Sequence, residues 1–234
     1  MLAAAGLLAA AAGCGGEAGE SDTTMREGAS DTVFEDDFSD PRSGWPVADD
    51  DFVLLEYARD RYRIVLKDPS RPHASWLFQV AEGEPALTVE ADATLGADPE
   101  GPRVSWGVAC SSIERGPGEA ERRPGEVSYF FHVSSYGLWA IGREDSESVD
   151  EEFIAQGEGG VEGPGELHRL NAECVAHGDG RATVAFAVDG NEVARTTDPD
   201  GPSGFSAIAL HMRAEASDME VLFDNVSVRR GETR

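Results

Sequence analysis

The sequence predicts an all-β protein, an antiparallel β-sandwich that follows a disordered N-terminal tether. Between residues 33 and 229, short segments alternate apolar and polar side chains at period two, with Gly, Pro, Asn and Asp between them and no apolar stripe at helical spacing. The segment EVSYFFHVSSYGLWAIGR, residues 126–143, reads as two strands around a turn at 134–137. Val127, Tyr129, Phe131 and Val133 fall on one face of its first strand, and Ser128, Phe130, His132 and Ser134 on the other. Such a strand suits the middle of a sheet whose back lies on the core and whose front is a shallow, partly wet surface. At 234 residues, 40% of them hydrophobic, the chain has the size of one large β domain.

The remaining elements follow in order. Residues 34–38 open the domain, 52–57 and 62–66 form a hairpin, and 76–80 follow a loop broken by Pro69 and Pro72. The clearest alternation is Leu87, Val89, Ala91, Ala93 and Leu95 inward against Thr88, Glu90, Asp92 and Thr94 outward. Residues 104–112 carry Trp106 and Cys110 in one phase, and 167–176 carry Leu170, Ala172 and Cys174 in one phase. Residues 182–188 and 192–196 flank Asp189-Gly190-Asn191, a hairpin turn whose residues tolerate positive φ. Strands at 205–212 and 219–228 complete a set of about a dozen. The Gly-, Pro- and acid-rich stretches 115–125 and 157–166 read as loops, where function concentrates.

Charge excludes one class of partner. With 45 acidic and 19 basic residues the formal net charge is −26, and Lys67 is the only lysine. A nucleic-acid binder needs a basic stripe to neutralise phosphates, and this chain has none.

Residues 2–12 are an uninterrupted run of Leu, Ala and Gly, too short for a bilayer that needs ~20 apolar residues. The run reads as a signal segment. Its end, Ala11-Ala12-Gly13-Cys14, resembles a bacterial lipobox, which makes residues 1–14 a lipoprotein signal and Cys14 the lipidated residue; an ordinary secretory peptide is the alternative. Residues 15–32 turn to Gly, Glu, Ser, Thr and Asp and form an acidic tether that cannot bury enough surface to order itself. The folded domain is then residues 33–229, with a tail at 230–234, held at the outer face of the cell membrane by lipid alone. Export also bears on the cysteines. Cys110 and Cys174 remain after Cys14, both with core phase, in a compartment where thiols oxidise, so they are expected to pair.

The segments FEDDFSDPRSGWP, YFFHVSSYGLWAI, LNAECVAHGDGRATVAFAVDGNEVA and VLFDNVSV resemble, in that order, the concanavalin A-like jelly-roll domains of the lectin and glucanase superfamily, including those grouped with 3-keto-disaccharide hydrolase-like domains. The resemblance implies two curved antiparallel sheets, a concave face that holds carbohydrate in many members, and first and last strands lying side by side.

The motifs argue for binding over catalysis. Glycosidases of this superfamily place alternate acids of one strand, E-x-D-x-x-E or E-x-D-x-E, beside the scissile bond. The nearest stretch here, Glu90-Ala91-Asp92, lacks a third acid and reads more simply as the wet face of an amphipathic strand. There is no HExxH, no G-x-S-x-G and no phosphate-binding glycine pattern. His132 and His211 share the non-core phase, and Trp139 can join them across the hairpin turn as a platform on which a sugar ring stacks. The rival reading makes Trp45, Trp76, Trp106 and Trp139 core fillers. Among the acid clusters, Asp36 or Asp37 with Asp224 and Asn225 is the best set for a structural Ca²⁺, because the terminal strands should be neighbours. Solvated acid is the plainer reading of every cluster. The expected protein is a monomeric, lipid-anchored surface module that binds carbohydrate or another extracellular ligand without catalysis; a glycoside-processing hydrolase and a structural or adhesive protein-binding module are the alternatives.

Overall fold

The computed structural model describes residues 31–70, 73–96, 103–113, 125–145, 151–159 and 165–231, without the side chains of 73–76 and 81. Cys14, the tether up to residue 30, most of the 115–125 loop and the Trp76 side chain therefore lie outside the described residues.

Among the described residues fifteen strands form two antiparallel sheets. They are β1 (Thr32–Asp36), β2 (Ala48–Asp49), β3 (Val53–Tyr57), β4 (Tyr62–Leu66), β5 (His73–Glu84), β6 (Ala86–Leu95), β7 (Val104–Ser111) and β8 (Val127–Ser134). Then come β9 (Leu138–Asp145), β10 (Glu152–Glu158), β11 (Leu167–Ala176), β12 (Ala182–Val188), β13 (Asn191–Asp198), β14 (Phe205–Ala214) and β15 (Met219–Arg230). The nine-stranded sheet runs β13-β12-β11-β6-β15-β4-β3-β2 with β1 also on β15, and the six-stranded sheet runs β10-β9-β8-β7-β14-β5.

Period-two alternation in both sheets sends one side chain in two into a single core, where Leu87, Val89, Ala91 and Leu95 of one sheet meet Trp106, Val108, Phe131 and Leu210 of the other. Cys110 on β7 and Cys174 on β11 are bonded across that core, with Cα atoms 6.6 Å apart and 64 residues between them in sequence. The bridge expected from the cysteine count is present, and it joins the two sheets rather than neighbouring strands of one.

Terminal strands meet as expected: β1 pairs with β15 from Thr32↔Arg229 to Asp36↔Val226. β15 serves β4 over Met219–Phe223 and changes register between Asp224 and Ser227, where Asn225 takes a left-handed φ of 48°. Asn tolerates that backbone better than most residues, and the irregularity lets β15 pass from β4 to β1 as neighbour. Beside it, Asp36 accepts a hydrogen bond from the Phe38 amide at 2.7 Å. That bond helps hold buried Phe38 at φ 56° within a cluster of Trp45, Tyr57 and Tyr62 rings.

Two sequence expectations change. The opening strand is Thr32–Asp36 rather than 34–38, which leaves Phe38 in the turn after it. The stretch from 157, read as loop, opens inside β10, an edge strand that pairs with β9 from Glu152↔Arg143 to Glu158↔Leu138.

Candidate functional site

The outer face of the six-stranded sheet is assembled from cross-strand rows. His132 on β8 lies opposite Gly107 on β7, and Gly107 opposite His211 on β14. Because the residue between them lacks a side chain, the two imidazoles meet edge to face with ring centroids 4.6 Å apart. A Cβ at Gly107 would overlap the Phe131 carbonyl oxygen and lie 3.1 Å from His211 Nε2, so close strand contact fixes glycine there. The next row sets Phe130 against Ala109, Ala209 and Leu77 in a small apolar cluster. Phe130 stacks beside His132 at 6.2 Å and meets His211 edge-on at 5.2 Å.

Glu151 completes the group from the residue before β10. Its side chain lies over Gly142, where any Cβ would collide with it. Its Oε1 pairs with His132 Nε2, while Oε2 lies 3.9 Å from Arg213 Nη1. The face is not the shallow wet surface expected: His211 is 0% and His132 6% exposed. A carboxylate hydrogen-bonded to one imidazole nitrogen fixes the orientation of the ring. Among the described residues, His132 Nδ1 has no hydrogen-bond partner.

His132, Glu151 and Arg213 line a cavity of about 550 Å³, within the ~300–1,000 Å³ range of small-molecule sites, while His211 lies buried behind it. Its mouth is apolar. Tyr136 is 58% and Phe153 50% exposed, Leu138 is also exposed, and Arg103 lies 5.7 Å over the Tyr136 ring. A second cavity of about 910 Å³ opens where β10 and β9 face the end of β13, lined by Arg143, Asp145, Thr196, Thr197 and Asp198, and by Phe153 again. Its wall is a bonded network. Asp198 Oδ2 accepts hydrogen bonds from Tyr129 Oη at 2.6 Å and Arg143 Nε at 2.8 Å, and Arg143 Nη1 reaches Asp145 at 2.6 Å. Burial pushes the Asp198 carboxyl up, but bonds from Tyr129, the Asp200 amide and Arg143 outweigh it and hold it below the usual carboxylate range.

Of the residues singled out in the sequence, His132 and His211 do come together. Trp139 has the opposite phase, pairing with Val133 and packing partly against the sandwich core, yet it lines the same cavity. It acts as wall and core filler at once, as Trp45 and Trp106 act in the core proper. Glu90 and Asp92 lie on the outer face of the other sheet. Glu90 pairs with Arg169 at 3.2 Å and Asn171 at 2.8 Å, and Asp92 accepts from Asn225 at 2.9 Å.

The four residues considered for calcium are otherwise engaged. Asp36 holds the Phe38 turn, Asp37 accepts from Ser39 at 2.6 Å, and Asp224 accepts from the Asn225 amide at 2.8 Å. Burial pushes the Asp224 carboxyl up, and the charges of Asp92 and Asp37 add to that. Among the described residues no three His, Cys, Asp or Glu side chains group as a metal ion would require.

Sequence reasoning missed Glu151, Arg213, Tyr136 and Phe153. The one available signal was a pair of glycines inside strongly apolar strands, Gly107 and Gly142, which mark places where another group approaches closely.

No family profile matches the sequence, and no curated protein matches it either. Solved structures do match. A doubly substituted alginate lyase in complex with an alginate trisaccharide is 10% identical, with 76% of this chain and 85% of that one covered and a TM-score of 0.51. A native glycosidic hydrolase is 13% identical over 86% of this chain and 97% of its own, with a TM-score of 0.56. A Bacillus subtilis protein of unknown function with a galectin-like fold is also 13% identical, over 87% and 97%, with a TM-score of 0.56. At such identities the likeness concerns fold alone, and it agrees with the two-sheet antiparallel β-sandwich described above.

Proposed function

We propose that this chain is a carbohydrate-binding domain, held at the outer face of the cell membrane by lipid on Cys14, which binds its ligand without catalysis in the cavity above His132 and Glu151. The observation that carries the reading is the rim. Of the five large hydrophobic side chains exposed among the described residues, Tyr136, Leu138 and Phe153 all line this one cavity. Solvent-facing rings beside a polar floor are what a sugar requires, since its C–H face stacks while its hydroxyls bond. The alginate lyase seen with a trisaccharide supports the same reading by analogy of fold.

The test is a glycan array with the whole protein, followed by calorimetry on the best binder. Tyr136→Ala and Phe153→Ala should each weaken binding about tenfold, the equivalent of ~1.4 kcal/mol, with the fold unchanged by circular dichroism. An empty array, or variants that bind as well as the parent, would remove the reading. Anchoring is tested separately: Cys14→Ala should move the protein from the membrane fraction to the medium or block processing, since a diacylated form does not wash off in salt.

One observation favours the hydrolase alternative, namely the pairing of the Glu151 carboxylate with the His132 imidazole in the cavity wall. Release of reducing ends from a bound polysaccharide, abolished by Glu151→Gln while binding persists, would replace the non-catalytic reading with this one.

A further inference from the structure

We propose that the ligand is an extended, uncharged oligosaccharide that crosses the edge strand β10 and occupies both cavities, with Phe153 as the ring shared between them. The proposal rests on the carbohydrate reading and adds to it a length, a path and a charge.

The path comes from β10. Glu152, Phe153 and Ile154 at its start line the second cavity, whereas Phe153, Gln156, Gly157 and Glu158 further along line the first. Seven residues of strand span about 24 Å at ~3.4 Å each, so the two openings lie within one strand length of each other. Phe153 stands at the crossing, half exposed, with its ring edge-to-face against His132 at 6.2 Å. β10 is the outermost strand of its sheet, so among the described residues no further strand of that sheet lies beyond the crossing.

Length follows from the separation. A single sugar ring in the first cavity leaves the second empty, whereas a chain of several rings can fill both. The second cavity offers the Thr196 hydroxyl, on the same face of β13 as Asp198, beside carboxylates held in place, because Arg143 is bonded to Asp145, Asp198 and the Asp200 carbonyl. Those acceptors are set before a ligand arrives, which lowers the entropy cost of binding.

Charge decides the class. The first cavity sets Glu151, Glu158 and Glu215 against Arg103 and Arg213. Among the described residues the second sets Asp145, Glu152, Asp198 and Asp200 against Arg143 alone. A polyanion would meet net negative charge along the whole path, on a chain whose formal net charge is −26. Neutral hydroxyls, which donate to carboxylates without repulsion, fit that lining.

Calorimetry on the whole protein tests length and charge together. The probes are neutral gluco-, manno- and xylo-oligosaccharides of one to six residues and alginate oligosaccharides of the same lengths. In at least one neutral series affinity should rise tenfold or more between two and six residues, while alginate binds more weakly at every length in low salt. Thr196→Tyr, which extends into the second cavity from the same face of β13 as Asp198, should flatten the length dependence and leave disaccharide affinity unchanged. Affinity that is flat with length, a Thr196→Tyr variant with the parent's length dependence, or alginate binding more tightly than every neutral series would each overturn the extended neutral site while leaving carbohydrate binding intact. No binding by any probe would overturn both.

Discussion

The outer faces of the two sheets obey the same alternation and end in opposite states. On the nine-stranded sheet, guanidiniums stand between pairs of acids in open water. Arg63 reaches Glu56 at 2.8 Å and Glu220 at 2.6 Å, Arg169 reaches Glu90 at 3.2 Å and Asp92 at 3.8 Å, and Arg195 reaches Glu173 and Glu192, both at 2.8 Å. On the six-stranded sheet the outward residues of β7 are Ser105, Gly107, Ala109 and Ser111, all small, and the large neighbours close over them until Ala109, Ala209 and His211 are fully buried. Outward phase therefore does not mean wet. Side-chain size on the central strand decides whether a face stays a solvated surface or becomes a second, polar interior able to hold a ligand.

The largest test of that contrast is the tie between the sheets. Replacing Cys110 and Cys174 by Ala should cost up to ~4 kcal/mol by the loop-entropy estimate for a bridge spanning 64 residues. The melting temperature would then fall by about 2–4 °C per kcal/mol for a domain of this size, measured by calorimetry against the parent. An unchanged melting curve would mean that the two faces are held by core packing alone.

Next in size is Gly107→Ala. Its methyl group would overlap the Phe131 carbonyl oxygen, a backbone atom, so β7 and β8 must part, which also disturbs the His132–His211 contact. A loss at the upper end of the ~1–3 kcal/mol typical of overpacking is expected in urea titration. Thr88→Ala, an equally outward position on the other sheet, should change stability by less than ~0.5 kcal/mol. Equal effects at the two sites would erase the distinction between the faces.

Acid should separate the faces too. The Asp198 carboxyl is held below the usual carboxylate range, so its contribution is complete above the unfolded value near ~4 and is lost as pH falls through the lower folded value. Stability measured between pH 5 and pH 2 should fall less steeply for Asp198→Asn than for the parent. A parallel pair of curves would show that the Tyr129–Asp198–Arg143 network adds nothing at that seam between the sheets.

Strands that bury a face were legible in the sequence because burial forces alternation: residues 87–95, 127–134 and 219–228 match β6, β8 and most of β15. β10 was not, because an edge strand paired on one side can be EFIAQGE, half-exposed throughout, with no stripe to read. The two histidines were legible by phase, and their meeting depended on register across three strands, which no local pattern carries. Glu151 escaped because it sits outside any alternating segment and reaches His132 only once β10 has paired with β9.

The smallest expected effect belongs to the solvated face. Arg169 is 52% exposed and stands over Glu90 and Asp92, so its pairs are screened by water and by salt. Arg169→Ala should cost no more than ~1 kcal/mol in low salt, and the difference from the parent should shrink as ionic strength rises. Glu90 keeps Asn171 at 2.8 Å and Arg229 at 3.8 Å, and Asp92 keeps Asn225 at 2.9 Å, so neither carboxylate loses its last partner. That redundancy is why the loss is small here, whereas at His132 a single carboxylate bonds the ring. If urea titration shows Arg169→Ala costing several kcal/mol independent of salt, the nine-stranded face is a bonded interior like the other, and side-chain size on the central strand is not what separates them.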